Sequence, residues 1–566
     1  MPNGGLKVLP LDPLSLLVTF DAIGTATIKP DHEEIADLPS LYDSNWTVEQ
    51  QGEDFIEFSF MLDEATLAAA KIDKAGPLKI VKRYSIDKAQ KPGEVPYHLN
   101  LQIAIHNLGA QPLSQVAYRL NGPTGLPLEG WWYSTKLNPN WGGAGARDVV
   151  YKQTGLGHQL IGCPKLVSDA RQALKENKPL GTPLLLGDQA APFDYAGIDT
   201  QFFASVIQPK AATKDQEIKF RSAVGKPVQD VTVIPKTRLR TADVSVRLTT
   251  SKSAIEANTV LKHEYRVFFG PKDPQVLSAY GLDRLIEYGW PIFAVPAKLL
   301  RNVLNGLYWL TGLVGIPNYG IAIILLTVIV RTCMIPVSLK QARSAAKMQE
   351  LAPEIQKIKD KYPDDPMKQH QAVQDLYKKH DFNMFGGCLP VFIQLPIFIG
   401  LYRCLSVDID LRDAALFSER IQWASNLAGP DKLFRWDSWM PSFIADEADG
   451  WLGPFFNVFP LITVTLFLIQ QKMFTPPATD EQTKMQQQMM TYMTVFMGVM
   501  FYKVPAGLCL YFITSSLWGI CERKLLPKAK PKDAGGGGVV AKLPAKPASP
   551  NGSGKPGSSK RPKQRR

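Results

Sequence analysis

The sequence predicts a multidomain chain. An all-β antiparallel sandwich lies outside the cytoplasm, followed by an α-helical five-span membrane bundle with a cytoplasmic helical hairpin and a disordered basic tail. Three observations predict this. The 566 residues, 20% charged and 45% hydrophobic, are too many for one compact core. Apolar residues alternate at period two up to about residue 272 and then gather into continuous runs. The net charge of +12 sits entirely on residues 523–566, where 13 Lys or Arg face the single acid Asp533. The remainder of the chain is balanced, which excludes a uniformly basic nucleic-acid-binding globule.

The β domain is expected over residues 1–275. Phe55-Ile56-Glu57-Phe58-Ser59-Phe60, Tyr97-His98-Leu99-Asn100-Leu101-Gln102-Ile103 and Val244-Ser245-Val246-Arg247-Leu248 read as half-buried strands, punctuated by Pro, Gly, Asn and Asp. The aromatic patch Trp131-Trp132-Tyr133, with Trp141, admits two readings: a stacking surface for a sugar or partner, or ordinary core and loop anchors. Residues 276–318 form a linker and an interfacial amphipathic helix. Within them, 288–312 mix apolar bulk with Lys298 and Arg301, which suits a helix lying in the headgroup region.

The bundle is expected over 319–521, with spans at about 319–339, 387–402, 452–471, 489–502 and 504–521. Several approach the ~20 residues that cross ~30 Å of hydrocarbon; the second and fourth are short and imply tilt or local thinning. Loop 340–384 carries nine Lys or Arg, loop 403–451 only five against nine acids, and loop 472–488 two. The positive-inside rule therefore places 340–384, 472–488 and the tail inside and the β domain outside. That orientation requires export of the β domain, yet Pro13 to Phe20, flanked by Asp12 and Asp21, is no signal peptide; either an upstream segment is expected, the favoured reading, or the orientation is the reverse. Within 340–384, Met348, Leu351, Ile355 and Ile358, then Val373, Leu376 and Tyr377, repeat at helical spacing. Tyr362-Pro363-Asp364-Asp365-Pro366 makes the turn. Residues 522–566, rich in Gly, Pro, Lys and Ser, read as disordered and suited to phosphate-rich surfaces such as ribosomal RNA or anionic lipid.

Catalytic and metal chemistry finds no footing. Six cysteines form no C-x-x-C pair, seven histidines form no cluster, and Gly552-Ser553-Gly554-Lys555 lacks phosphate-loop spacing. No enzyme activity, cofactor, metal or small-molecule substrate is expected.

Arg331 is the informative residue. It follows ten apolar or hydroxyl residues and lies ~18 Å along the helix from Tyr319, near the bilayer centre. A charge there costs ~2.5–3.5 kcal/mol on insertion scales. The five segments hold no acid before Glu522, so the guanidinium must reach water in a cavity or bond neutral groups: Gln394, Thr514, Ser515, Ser516 or carbonyls freed by prolines. Snorkelling is the bland alternative. The missing carboxylates disfavour an ion-driven carrier. Met489, Met493, Met497 and Met500 share one helical face and offer an adaptable surface to varied apolar partners.

At several motifs the chain resembles the YidC membrane-protein insertase family. These are Phe269-Gly270-Pro271-Lys272, Tyr288-Gly289-Trp290, Asn318-Tyr319-Gly320-Ile321, Val330-Arg331, Gly386-Gly387-Cys388-Leu389-Pro390, Gln394-Leu395-Pro396-Ile397-Phe398, and Pro505-Ala506-Gly507-Leu508 before Leu510-Tyr511. The resemblance implies an energy-independent insertase and chaperone of the bacterial inner membrane. Its hydrophilic, lipid-open groove would include Arg331 and Gln394. It further implies a contact face for substrate helices on the second and fourth segments and beside them: Phe392, Pro396, Met489, Met493, Met497, Met500, Tyr511 and Phe512. Implied partners are nascent membrane proteins, the Sec translocon, membrane lipid, and the ribosome through tail and hairpin, with the chain acting as a monomer. A small-solute channel or transporter and a membrane-anchored carbohydrate-binding protein are the competing readings.

Overall fold

The computed structural model describes residues 15–525 apart from 30–31, 73–75, 90–94, 129–130, 135, 140–142, 186–188, 212–216, 364, 381–388, 419, 448–449 and 476–480. Trp141, the Gly386-Gly387-Cys388 motif, the chain start and the tail beyond 525 lie outside the described residues, as do the side chains of Trp131 and Phe392.

Two antiparallel sheets form the first half. One has nine strands, in the spatial order Thr47–Gln51, Phe55–Leu62, Leu78–Ser85, His98–Asn107, Val260–Pro271, Phe203–Lys210, Phe193–Asp199, Asp148–Gln153 and Gln159–Ile161. The other has seven: Thr182–Pro183, Phe220–Pro227, Val244–Thr250, Leu113–Asn121, Val18–Ile23 and Ala26–Thr27, with Ser253–Ile255 also paired to Leu113–Asn121. The alternation read from sequence decides which faces meet. Val244, Val246 and Leu248 from one sheet and Leu101, Ile103 and Ile80 from the other share one core, as a sandwich requires. Two helices, α1 (Glu64–Ala69) and α2 (Cys163–Lys175), accompany the sheets, and α2 buries Leu166, Val167 and Ala170 on one face.

The helical half begins with α3 (Pro274–Ala279), capped by Asp273, whose Oδ1 accepts from the backbone N–H groups of Gln275 and Val276. Helix α4 (Pro291–Leu313) covers the segment read as interfacial, and α5 (Tyr319–Lys361) starts at Asn318, whose Oδ1 accepts from Ile321 N at 3.0 Å. Then come α6 (Pro366–Lys379), α7 (Leu389–Val407), α8 (Ser442–Ala445), α9 (Phe459–Phe474), α10 (Glu481–Met500) and α11 (Ala506–Leu525).

Several boundaries differ from those expected. The first apolar segment and the first arm of the hairpin are one helix of 43 residues, because Gln341 to Met348 are mostly good helix formers and nothing stops the helix before Tyr362. The third segment turns helical only at Phe459. Its first residues are held as strand Phe455–Phe456, paired with Phe434–Arg435. A carboxylate remote in sequence, Asp431 Oδ2, accepts the backbone N–H groups of Val458 and Phe459 and so caps the N-terminal start of α9. Among the described residues, one helical stretch, Tyr319–Lys340, is long and apolar enough to cross a membrane; Gln394–Val407, Phe459–Met473 and Ala506–Glu522 are shorter apolar helices.

The two halves are joined by specific contacts. Trp132 and Tyr133 are buried, and Trp132 stacks on Phe455 with ring centroids 5.8 Å apart. Gly453, at φ +83°, leaves the space the indole fills: a Cβ there would stand 2.4 Å from the ring. Lys432 lies over the Tyr133 ring at 5.5 Å. These side chains are therefore interdomain anchors, which corrects the sugar-stacking alternative for Trp132 and Tyr133. Trp132→Ala is expected to loosen this junction by about 3–5 kcal/mol, the usual cost of emptying a buried indole site. The readout is faster amide hydrogen exchange across residues 430–456, with exchange in the sandwich core unchanged.

Candidate functional site: a lateral groove around Arg331

The site is a groove of about 680 Å³ whose walls come from α5, α7, α9, α10, α11 and the turn before α11. At ~30 Å³ per water it has room for on the order of twenty molecules. Helix α5 supplies Arg331 and, three, six and seven residues on, Met334, Val337 and Ser338, all along one face. Helix α7 adds Gln394, Leu395 and Phe398; α9 adds Pro460, Thr463, Val464 and Phe467. Thr494, Met497 and Gly498 from α10 and then Phe501 complete one wall, and Val504, Cys509, Tyr511, Phe512 and Ser515 the last.

Arg331 is half-buried, and its Nε donates to Ser515 Oγ at 2.6 Å, with Nη2 directed at the same hydroxyl. Among the described residues no acid lines the groove, and a neutral hydroxyl is the partner for this charge. Gln394 Nε2 donates to Tyr511 Oη at 2.9 Å, tying α7 to α11 across the groove. Thr463 and Thr494 turn their hydroxyls to carbonyls one helical turn back, Phe459 O and Met490 O, each at 2.9 Å. Much of the remaining lining is apolar. The groove is therefore amphipathic, with a single fixed positive charge that has three N–H donors left beyond the two directed at Ser515.

Four lining phenylalanines pack ring against ring. Phe398 meets Phe501 edge-on at 6.0 Å and Phe512 at 5.4 Å, and Phe512 meets Phe467 at 5.4 Å. Helix α10 packs chiefly on α9, while α7 packs chiefly on α4, so the flank between α7 and α10 is a lateral opening.

Of the residues expected at the groove, Arg331, Gln394, Ser515, Met497, Tyr511 and Phe512 are brought together. Thr514 and Ser516 are not part of the lining; Ser516 is buried, and its carbonyl accepts from Gln470 Nε2 at 3.0 Å. Pro396, Met489, Met493 and Met500 also lie outside the lining. The reason is helical phase. The groove takes positions 494, 497, 498 and 501, a face rotated from the stripe 489, 493, 497 and 500, and leaves those other methionines exposed. Ser338, Thr463 and Thr494 escaped the sequence reading because a hydroxyl in an apolar helix carries no directional signal.

A second polar cluster sits where the halves meet. Arg301, only 7% exposed, reaches Asp408 at 3.1 Å, Asp273 at 3.3 Å and Asp410 at 3.6 Å. Burial pushes Asp408 up to about 6, against the pull of the Arg301 guanidinium. Deeper in the sandwich, Lys136 pairs with Asp148 and Asp199, and Lys272 pairs with Asp199 at 2.7 Å. Gln201 donates to Ser406 O at 2.8 Å, and Arg403 donates to Glu287 O at 2.6 Å. These contacts fix the sandwich on the middle of α4 and the C-terminal end of α7. Among the described residues, no group of His, Cys, Asp and Glu is placed to hold a metal ion.

Residues 309–533 match the family described as the 60Kd inner membrane protein, and residues 185–298 match the YidC periplasmic domain. Among curated proteins, the chain is 36% identical over 266 residues to the membrane protein insertase YidC of Pelobacter propionicus, covering 47% of this chain and 44% of the relative. It is 35% identical over 267 residues to that of Geobacter metallireducens, covering 47% and 43%. With that of Geotalea daltonii it shares 30% identity over 327 residues, covering 56% and 54%. The chain thus spans about half the length of the curated relatives it matches. Among solved structures, an active YidC insertase with its first transmembrane domain resolved aligns with 88% of this chain and 86% of its own, at 17% identity and a TM-score of 0.33. A galactose mutarotase-like protein from Clostridium acetobutylicum aligns with 45% of this chain and 79% of its own, at 11% identity and a TM-score of 0.25.

Proposed function

We propose that this chain, which belongs to the YidC family of membrane protein insertases, inserts nascent membrane proteins through the groove around Arg331. The observation that carries the reading is a guanidinium bonded to Ser515 inside an amphipathic groove whose lining contains no acid. An arginine with a carboxylate partner is a structural ion pair; one held by a single hydroxyl keeps donors for a transient guest.

Insertion needs no bond chemistry. A polar segment of the client, bound for the outer side, enters the wet end of the groove and is solvated beside Arg331. The hydrocarbon path it must still cross is shortened, and the insertion barrier falls with it. The client's apolar helix leaves through the flank between α7 and α10, driven by transfer of apolar surface at ~25 cal/mol per Å². Soft side chains such as Met497, and the exposed Met489, Met493 and Met500 near the exit, accept helices of varied shape.

In this reading α5, α7, α9, α10 and α11 are the five spans of an inner-membrane protein. The 472–488 loop, the hairpin of α5 and α6 and the basic tail face the cytoplasm, and the sandwich faces the periplasm. Hairpin and tail recruit the ribosome or the client, and the chain works as a monomer, alone or beside the Sec translocon. The apolar lateral opening favours this over a small-solute channel, which would need a polar path closed to lipid.

The test is site-specific photocrosslinking to a stalled nascent membrane protein. A probe at Gln394 or Met497 is expected to capture the client, and one at Leu310 on α4 is not. Capture absent from both groove positions would refute the proposal.

A further inference from the structure

Residues 433–453, between α7 and α9, carry large apolar side chains that the fold does not cover. Trp439 is 65% exposed, Phe443 71% and Trp451 53%, and Phe434 is also exposed. They are held in place. Trp436 is buried, donates its Nε1–H to Gly453 O at 2.8 Å, and stacks on Tyr502 with ring centroids 6.0 Å apart. Trp439 meets Trp436 edge-on at 6.3 Å, and Trp451 N bonds Phe443 O at 3.0 Å. Lys503 donates to Gly450 O at 3.0 Å. Tyr502 and Lys503 belong to the tight turn between α10 and α11, so the exposed rings are bolted to the end of two helices.

We propose that the exposed rings Phe434, Trp439, Phe443 and Trp451 form a lipid-binding element that lies in the outer headgroup layer and pins the adjoining ends of α10 and α11 at that depth. The proposal rests on the reading that α9, α10 and α11 span the bilayer. Two observations select lipid as the occupant. The segment is tied to the ends of α9 and α10, through Trp436 on Tyr502 and the pairing of Phe434–Arg435 with Phe455–Phe456, where that same reading turns exposed Met500, Leu461 and Ile462 toward lipid. Indole rings, apolar with one N–H, partition to the boundary between acyl chains and headgroups. Exposed Asp446 and Glu447 beside Phe443 select zwitterionic over anionic headgroups, since like charges repel.

The experiment uses the full chain in phosphatidylcholine nanodiscs, with bromine atoms near the headgroup end of the acyl chains as the quencher. Fluorescence lost on Trp439→Phe gives the Trp439 component, and Trp518→Phe gives the component of a ring within α11. Bromolipid is expected to quench most of the Trp439 component, and replacing half the phosphatidylcholine by phosphatidylglycerol to weaken that quenching. Quenching of Trp518 without Trp439 overturns the proposal and leaves the spans intact. Quenching of neither overturns both. Trp439 shielded from bromolipid and from aqueous acrylamide alike marks a protein-covered surface, such as a second copy of the chain, and also overturns it.

Discussion

Replacing Arg331 by alanine is expected to abolish insertion of strictly dependent clients, lowering their yield at least tenfold in a strain depleted of its own insertase, where ~1.4 kcal/mol of barrier corresponds to each factor of ten. The same substitution should not destabilise the protein. A guanidinium at bilayer depth costs ~2.5–3.5 kcal/mol on insertion scales, and only Ser515 is seen to bond it. Thermal unfolding of the alanine variant in detergent is therefore expected at or above the wild-type temperature. Activity lost while stability is kept separates a functional charge from a structural one. Arg331→Lys keeps the charge but not the forked donors, and should retain part of the activity. Normal insertion by the alanine variant would remove Arg331 from the mechanism, and a large fall in unfolding temperature would make it a structural residue.

The second large effect is expected at the junction. Arg301→Leu leaves Asp408 buried without its cation, and losing one partner of a buried pair costs about 3–5 kcal/mol. Replacing Asp408 as well, by Leu, should restore most of the loss, since neither charge is then stranded; chemical denaturation of the four variants gives the coupling. The loss should also depend on pH. Asp408 already stands at about 6 in the folded protein, above the ordinary 3.8, and removing Arg301 takes away a downward pull. A carboxyl raised on folding favours the folded state in acid and loses that contribution as pH rises through its folded value. The defect of Arg301→Leu is thus expected to shrink at pH 5 and to be full at pH 8. A defect constant across that range would show that Asp408 does not carry it.

Much of the architecture was legible in the sequence because both periodicities are local. Alternation in Val244 to Leu248 needs no knowledge of the partner strand to mark which side joins the shared core, and Asn318 and Asp365 announce helix starts at α5 and α6 from three residues away. The absence of acids around Arg331 was likewise a fact of composition. Phase and distant caps were not legible. A methionine stripe gives a helix an apolar side, but which residues meet the groove depends on the rotation that packing on α9 imposes on α10. Asp431 caps the start of α9 from 28 residues away, and nothing in its neighbourhood marks it as a cap. Arg301 read as an interfacial charge because Asp273, Asp408 and Asp410 are scattered along more than a hundred residues.

The amino-acid order by itself determined that a β sandwich precedes apolar helices, that all excess charge is in the tail, and that one arginine sits mid-span without a carboxylate to neutralise it. These follow from pattern and composition, which need no neighbours in space; that the apolar run holding the arginine is a membrane span belongs to the proposed function. The tertiary structure alone decided that Ser515, rather than Thr514 or Ser516, receives that arginine, since adjacent residues on a helix point about 100° apart and only one can face the groove. It also decided that Trp132 joins the domains and that Arg301 fastens them, because burial and pairing belong to surfaces that the chain brings together only on folding.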